Sequence, residues 1–533
     1  MGSRLWGVAR SYRPVIRDQE FLLPPNMADW LPEDHLAWFV LDVVEQLDTA
    51  RFHARRRTGG VGRAGYDPDM LLALLIYAYA VGERSSRRIE RLCSDHVAFR
   101  VLCGQDAPDH TTIARFRAEH HDAVIDLFAQ VLRLCADAGM VKVGVVAIDG
   151  TKIAANAARS ANRSADWVRQ QAQRVAAEVV AEAEQTDARE DAEDDSDRLP
   201  PQFANRKDRA ASIKKALDEL DRRRGEEAEQ DQADRVRAEQ ILARAATEAM
   251  PGPVPAGVDP VAYHRARISR FQRLLAENET APGQTAARVR FDARKALERA
   301  EQALNEAEAA SAAGEVDLRG PRRRARDRRT ARARARGGQG EVVNTTDPES
   351  RLMTEGAGGG SVQGYNAQIA VSDDHFIAGI HVSQEANDTG CFTPTLNEVT
   401  AQVRALDKQI DLVLADAGYF TDDNLTTTGP ERLIAPGKSR DLHADAARRP
   451  ATGPRSEEVS VKDAMRHRLR QPQNVERYKR RSATVEPVIA HLKEQVGLRR
   501  FAQRGLAAVT AELHLAAAVV NLTRLHRAQA ATG

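Results

Sequence analysis

Between Pro32 and about Met140 apolar positions recur every three to four residues, the spacing that lines one face of a helix, and turn residues interrupt the pattern at Thr58-Gly59-Gly60 and from Gly104 to Pro108. An all-helical domain over residues 1–140 is expected. Asp67-Pro68-Asp69 opens an apolar helix, Met70 to Val81, which Gly82 stops. Ser85 caps a short helix, Ser86 to Cys93, accompanied by Arg84, Arg87, Arg88 and Arg91. Asp109 caps a further one, Thr111 to His120, with Arg115 and Arg117 near its exposed face. The rhythm is helix-turn-helix.

The period changes at Val141. Val141 to Asp149 (VKVGVVAID) is a β-branched run that ends on a carboxylate before Gly150, and it predicts the first strand, within residues 141–159. Residues 160–337 are rich in Ala, Arg and Glu and poor in large apolar side chains, which predicts a charged, helical insertion. After Thr346, Gly364 to Ser372 and Phe376 to Ser383 predict a hairpin turning through Asp373-Asp374-His375. A helix from Pro394 to Leu406, a buried strand within Asp411 to Tyr419 that ends at Asp416, a short strand from Arg432 to Pro436 and two closing helices complete residues 338–533. The expected class is α/β: a mixed sheet with flanking helices, preceded by a helical domain and interrupted by the insertion.

Composition sharpens this only in part. A chain of 533 residues suggests roughly three domains. The 78 basic and 77 acidic residues nearly cancel, yet they are segregated: Asp187 to Asp197 is acidic, while Arg319 to Arg336 holds ten Arg against Asp327 alone. Four Cys without a C-x-x-C exclude a disulfide scaffold, offer no zinc pattern and fit a reducing cytoplasm. The longest apolar run, Met70 to Val81, falls short of the ~20 residues a membrane helix needs, so no membrane partner is expected.

The chemistry concentrates on carboxylates. Asp149 and Asp416 each end a strongly apolar strand, where open α/β sheets place their ligands. Either alone could simply end its strand by turning to water; brought together, two carboxylates repel unless a cation bridges them. Glu486 precedes Pro487, so it belongs at or just before the start of a helix, or at a kink between two, with Lys493 about two turns on and Tyr478, Lys479, Arg480 and Arg481 ahead of it. Hard oxygen ligands without His or Cys select Mg²⁺ or Mn²⁺, and two such ions can act on phosphates. His491 and His514 receive no role.

At these residues the chain resembles a bacterial insertion-sequence transposase of the DDE type. Ala147-Ile-Asp149-Gly-Thr-Lys-Ile153 is similar to the family's first-Asp block, Leu414-Ala-Asp416-Ala-Gly-Tyr419 to its second, and Glu486 with Lys493 to its last. Thr346-Asp-Pro-Glu-Ser-Arg-Leu-Met353, Gly364-Tyr-Asn366, Tyr66-Asp-Pro68, Gly82-Glu-Arg-Ser-Ser-Arg87 and Pro108-Asp-His-Thr-Thr-Ile113 also resemble family segments. One spacing departs: four residues rather than three separate Arg481 from the acid, which leaves Glu476 and Glu494 as weaker rivals of Glu486.

The resemblance implies a ribonuclease H-like catalytic domain in which Asp149, Asp416 and Glu486 hold two Mg²⁺ or Mn²⁺ ions. It implies cleavage at the terminal inverted repeats of an element and attack of the 3′-hydroxyl on target DNA. Tyr478, Arg481 and Lys493 would contact DNA near the cut, and Arg84, Arg87, Arg88, Arg115 and Arg117 would contact the repeats. The partners implied are double-stranded DNA, as element ends and target, and a second copy of the chain, with action in the bacterial cytoplasm at the nucleoid. A catalytically inactive repressor and a metal-dependent nuclease without strand transfer are the alternatives.

Overall fold

The computed structural model describes residues 26–54, 65–175, 202–250, 253–320, 323–324, 327, 341–355, 360–437, 439–453 and 460–531. The chain divides into two compact units, Met1–His120 with His526–Gly533, and His121–Leu525.

Among the described residues the first unit is helical: α1 (Leu36–Gln46), α2 (Ala50–His53), α3 (Pro68–Ala80), α4 (Ser86–Asp95), α5 (Val97–Leu102) and α6 (His110–Glu119). The caps read from the sequence set two of these. The Asp67 side chain accepts from the Asp69 amide and Pro68 takes a first-turn position where no N–H is needed, so α3 starts there. It is buried on every side from Leu71 to Tyr79 and forms the core of the unit. Gly82, left-handed at φ +78°, follows its end. Asp109 accepts from the amides of Thr111 and Thr112 and starts α6. The turn expected at 58–60 lies outside the described residues.

The helical domain expected to reach residue 140 stops at His120, because α7 (His121–Asp137) belongs to the second unit. There it packs Phe128 edge-on against His514. β1 (Val145–Ala154) is the central strand of a six-stranded sheet. It starts later than expected, since Val141 holds φ +63°, and it runs past Asp149 because β5 offers a partner as far as Ala154↔Gly364.

The insertion leaves and returns through a two-stranded ribbon, β2 (Asn162–Ser164) with β3 (Val342–Asn344). Between them lie α8 (Gln202–Thr247), α9 (Pro260–Glu277) and α10 (Gln284–Ala312). Ala293, Ala300 and Ala307 are the buried residues of α10, seven apart, so a helix poor in large side chains still closes against α9. Glu219 of α8, 5% exposed, ion-pairs with Arg222 and Arg223 of its own helix and with Arg351 in β4, and so fastens the insertion to the sheet. Asp187 to Asp197 and most of Arg319 to Arg336 lie outside the described residues.

After the ribbon come β4 (Arg351–Glu355), β5 (Gly360–Ser372), β6 (Ile377–Ser383), α11 (Phe392–Ala405), β7 (Leu412–Ala415), α12 (Asp422–Thr426) and β8 (Glu431–Ile434). β5 pairs antiparallel with β1, β4 and β6, whereas β7 is parallel to β1 and β8 to β7. The sheet is therefore mixed. The predicted hairpin turns at His375, φ +67°.

Among the described residues four helices follow, not two: α13 (Ser439–Arg448), α14 (Val461–Leu469), α15 (Pro472–Glu494) and α16 (Leu506–Ala530). α13 and α14 are short and polar, so their apolar period is faint. α16 is long and apolar enough to cross a membrane, yet 83% of its apolar window is buried in the structure. Its Asn521 donates to the Ile377 carbonyl and accepts from the Ile377 amide, each at 2.9 Å, which docks it on β6.

Candidate active site

Parallel pairing sets Ile148 of β1 opposite Ala415 of β7, so the next residues, Asp149 within β1 and Asp416 just past β7, lie at one level. Asp149 Oδ1 accepts from the Gly150 amide at 2.9 Å, and its Oδ2 accepts from Arg481 Nη1 at 3.0 Å. Asp416 caps the short turn Ala417–Tyr419 through the Gly418 amide at 2.9 Å. Burial pushes both carboxyls above the ordinary range; Arg481 pulls Asp149 back, and the charge of Asp416 pushes it up further. For Asp416 the Gly418 N–H and Arg481 oppose burial, while Asp388 adds to it. The sheet thus gathers negative charge beside the middle of β1 and the end of β7.

α15 supplies the rest. Tyr478 and Arg481 sit three apart on its inner face. Tyr478 is 2% exposed, and its hydroxyl donates to the Ala415 carbonyl at 3.1 Å, directly before Asp416. It props the strand end and offers nothing to solvent. Burial carries its phenol up to about 12. Arg481 reaches Asp149 with one amino group and Glu486 Oε1, at 3.7 Å, with the other.

Glu486 lies inside one continuous helix, neither at a start nor between two helices. Pro487 removes the N–H that would bond to the Ala483 carbonyl just beside it. The extra residue after Arg481 turns Glu486 by about 100° around α15. The position at the shorter spacing is Val485, fully buried, and Glu486 is instead mostly exposed, with Arg481 as its ion-pair partner among the described residues. The rivals are engaged elsewhere: Glu476 pairs with Lys479, and Glu494 with Arg499.

A fourth carboxylate, Asp388, enters from the connection between β6 and α11. Asn366 Nδ2 donates to its Oδ1 at 2.8 Å and Gln368 Nε2 at 2.9 Å, and Gln368 in turn accepts from the buried Tyr419 hydroxyl. Sequence reasoning missed it because Asn387-Asp388-Thr389-Gly390 has the composition of an ordinary turn. The clue lay in Gly364-Tyr-Asn366, whose last residue holds it. Asp347, in Thr346 to Met353, also gains a function. It accepts from the Tyr365 hydroxyl at 2.8 Å and the Gly505 amide at 3.2 Å, while Glu349 accepts from the Leu506 amide, so this stretch anchors the start of α16.

The remaining cations separate by exposure. Lys493 is half-buried in the last turn of α15. In the first unit Arg87 and Arg115 are exposed, Arg84 is half-buried, and Arg88 is exposed but ion-paired with Glu83 at 2.8 Å. Arg117, expected on the open face of α6, is buried: it donates to the Arg84 carbonyl at 2.8 Å and to Ser86 Oγ, tying α6 to the start of α4. It is a structural arginine. His53, Asp67 and Asp69 also converge in that unit, their ligand atoms within 4.8 Å, but Asp67 caps α3 and Asp69 is bonded to His53.

Comparison with known families agrees with this geometry. Residues 25–119 match the model of a transposase domain (DUF772), and residues 320–522 match the transposase DDE domain. No curated protein and no solved structure matches the chain. The second match contains Asp388, Asp416, Arg481 and Glu486; Asp149 precedes it, on the strand at the centre of the same sheet. With both transposase domains in one polypeptide and its acids gathered at β1 and β7, the chain belongs to the DDE transposases of insertion sequences.

Proposed function

We propose that this protein binds the terminal inverted repeats of an insertion sequence, cuts the DNA ends and joins the resulting 3′-hydroxyl to target DNA. Asp149, Asp416 and Glu486 are the acids that carry the reaction, on a ribonuclease H-like sheet. The observation that supports this most is the placing of Asp149 and Asp416 at one level, each directly after the registered pair Ile148 and Ala415 of adjacent parallel strands, with one guanidinium linking Asp149 to Glu486.

The donor set suits Mg²⁺ or Mn²⁺: carboxylate oxygens only, those of Asp149 and Asp416 raised in pKa by burial and by their acidic neighbours, with Gly150 and Gly418 leaving no side chain to cover them. Two such ions supply activation of the attacking oxygen and neutralisation of the leaving oxygen of an in-line displacement at phosphorus. The chain's own part is to hold and orient. Tyr478 fixes the end of β7 and therefore Asp416. Arg481 fixes Asp149 and keeps a positive charge beside the scissile phosphate, and Lys493, two turns beyond Glu486, extends that field along α15.

Arg87 and Arg115, both exposed in the first unit, take phosphates of the repeat. Element ends and target are double-stranded DNA in the bacterial cytoplasm, at the nucleoid, and holding two ends calls for a homodimer.

Cleavage of element-end DNA with Mg²⁺ by wild type, Asp149→Ala, Asp416→Ala and Glu486→Ala tests the assignment. Loss of cutting in each substitution is expected. Full activity in all three would overturn the site, and binding without any cutting by the wild type would make the protein a repressor.

A further inference from the structure

We propose that Asp388 is a fourth carboxylate of the cation site, holding a divalent ion jointly with Asp416. The inference rests on the reading above and adds a residue to it. Asp388 stands between β6 and α11, where an Asp ordinarily caps the helix that follows. It does not: the cap of α11 is Cys391 without a side-chain bond, and only the Asp388 main-chain carbonyl accepts the Cys391 amide, at 2.9 Å. The carboxylate is turned back to the sheet.

There its Oδ1 takes the amide donors of Asn366 and Gln368, both fully buried on β5, and the Tyr419 hydroxyl locks Gln368 in place. All these partners are neutral. They orient the carboxylate without supplying a counter-charge. Asn366 Oδ1 is itself buried without a hydrogen-bond partner, a donor-poor environment that a cation would relieve.

The other oxygen faces Asp416. A Cβ at Gly418 would lie 3.3 Å from Asp388 Oδ2 and 3.1 Å from Asp416 Oδ1, so the two carboxylates flank one glycine. A Cβ at Gly150 would fall onto Asp388 Oδ1 and Gln368 Nε2. Each glycine lies within two residues of a catalytic aspartate and keeps the space between acids clear. Among the described residues no Lys or Arg forms an ion pair with Asp388 or Asp416: Arg481, whose charge reaches Asp416, is bonded to Asp149 instead, and two carboxylates flanking one glycine are an arrangement a hard divalent ion satisfies.

The test is Mn²⁺ binding to the full chain without DNA, followed by electron paramagnetic resonance for wild type, Asp388→Asn, Asp149→Asn and Asp416→Asn, with melting temperatures in EDTA read alongside. Asp388→Asn is expected to weaken Mn²⁺ by ~10-fold or more, at an EDTA melting temperature no lower than wild type. Wild-type affinity in Asp388→Asn together with weakened binding in the other two overturns the proposal and leaves the three-acid site intact. Unchanged binding in all three removes both. Should Asp388→Asn melt early, Asp388→Cys decides through DNA cleavage. Activity lost in Mg²⁺ and recovered in Mn²⁺ supports a ligand, because sulfur accepts the softer ion better; equal loss in both ions means a purely structural role.

Discussion

Arg481 donates to Asp149 at 3.0 Å across 332 positions of sequence, and this contact fastens α15 to the central strand of the sheet. Both side chains are largely buried, so removing either partner strands a charge. Arg481→Ala is expected to destabilise the protein by about 2 kcal/mol and Asp149→Ala similarly, with the double substitution costing less than the sum. Chemical denaturation of the four proteins reads the coupling, and strict additivity would mean the pair holds nothing together.

Asp416 gives a pH dependence of definite sign. Burial raises its carboxyl, so the folded state binds that proton more tightly than the unfolded chain does. The contribution is favourable below the ordinary carboxylate value of ~4 and is lost as pH rises through the folded value. Asp416→Asn keeps the cap on Gly418 and drops the charge, so in EDTA at pH 7 it should melt at or above wild type, with the gap closing as the pH approaches ~4. A gap that ignores pH would show that the Asp416 charge costs the fold nothing.

Gly150→Ala carries a steric expectation. Its new Cβ would meet Asp388 and Gln368, at a place where neither can move without breaking the Asn366 and Tyr419 bonds. A loss of about 1–3 kcal/mol, together with weakened divalent-ion binding, is predicted from thermal melts with and without Mn²⁺. Wild-type behaviour in both would mean that the pocket is roomier than the geometry implies.

Glu219 joins three arginines at the root of the insertion. Burial lowers Arg351 to about 10, and Glu219 works against that shift. Glu219→Ala leaves these cations unbalanced and should cost about 3 kcal/mol, with faster hydrogen exchange in α8 than in α9 or α10. Unchanged exchange throughout α8 would assign the anchoring to other contacts.

Much of the fold is legible in local chemistry. Asp67, Asp109 and Gly82 mark helix ends because their bonds are made within a few residues, and the hairpin at Asp373 to His375 announces itself in the same way. The two aspartates are visible because each closes an apolar run. What the sequence hides depends on distant partners. β1 continues past Asp149 only because β5 lies beside it, and Arg117 is buried only because the turn into α4 brings it the Arg84 carbonyl. Asp388 reads as a turn residue until Asn366 and Gln368 face it across the sheet. Glu486 is found by its place before Pro487 and its spacing to Lys493, but its exposure follows from one added residue in a helix.

The most direct test of the account is strand joining. A duplex that ends in an exposed 3′-hydroxyl at the element terminus is incubated with supercoiled plasmid and Mg²⁺, and covalent products are resolved by electrophoresis. Joined products with wild type, and their loss in Asp149→Ala, Asp416→Ala and Glu486→Ala, are predicted. Cut plasmid with no joined product, or undiminished joining by any of the three variants, would contradict it.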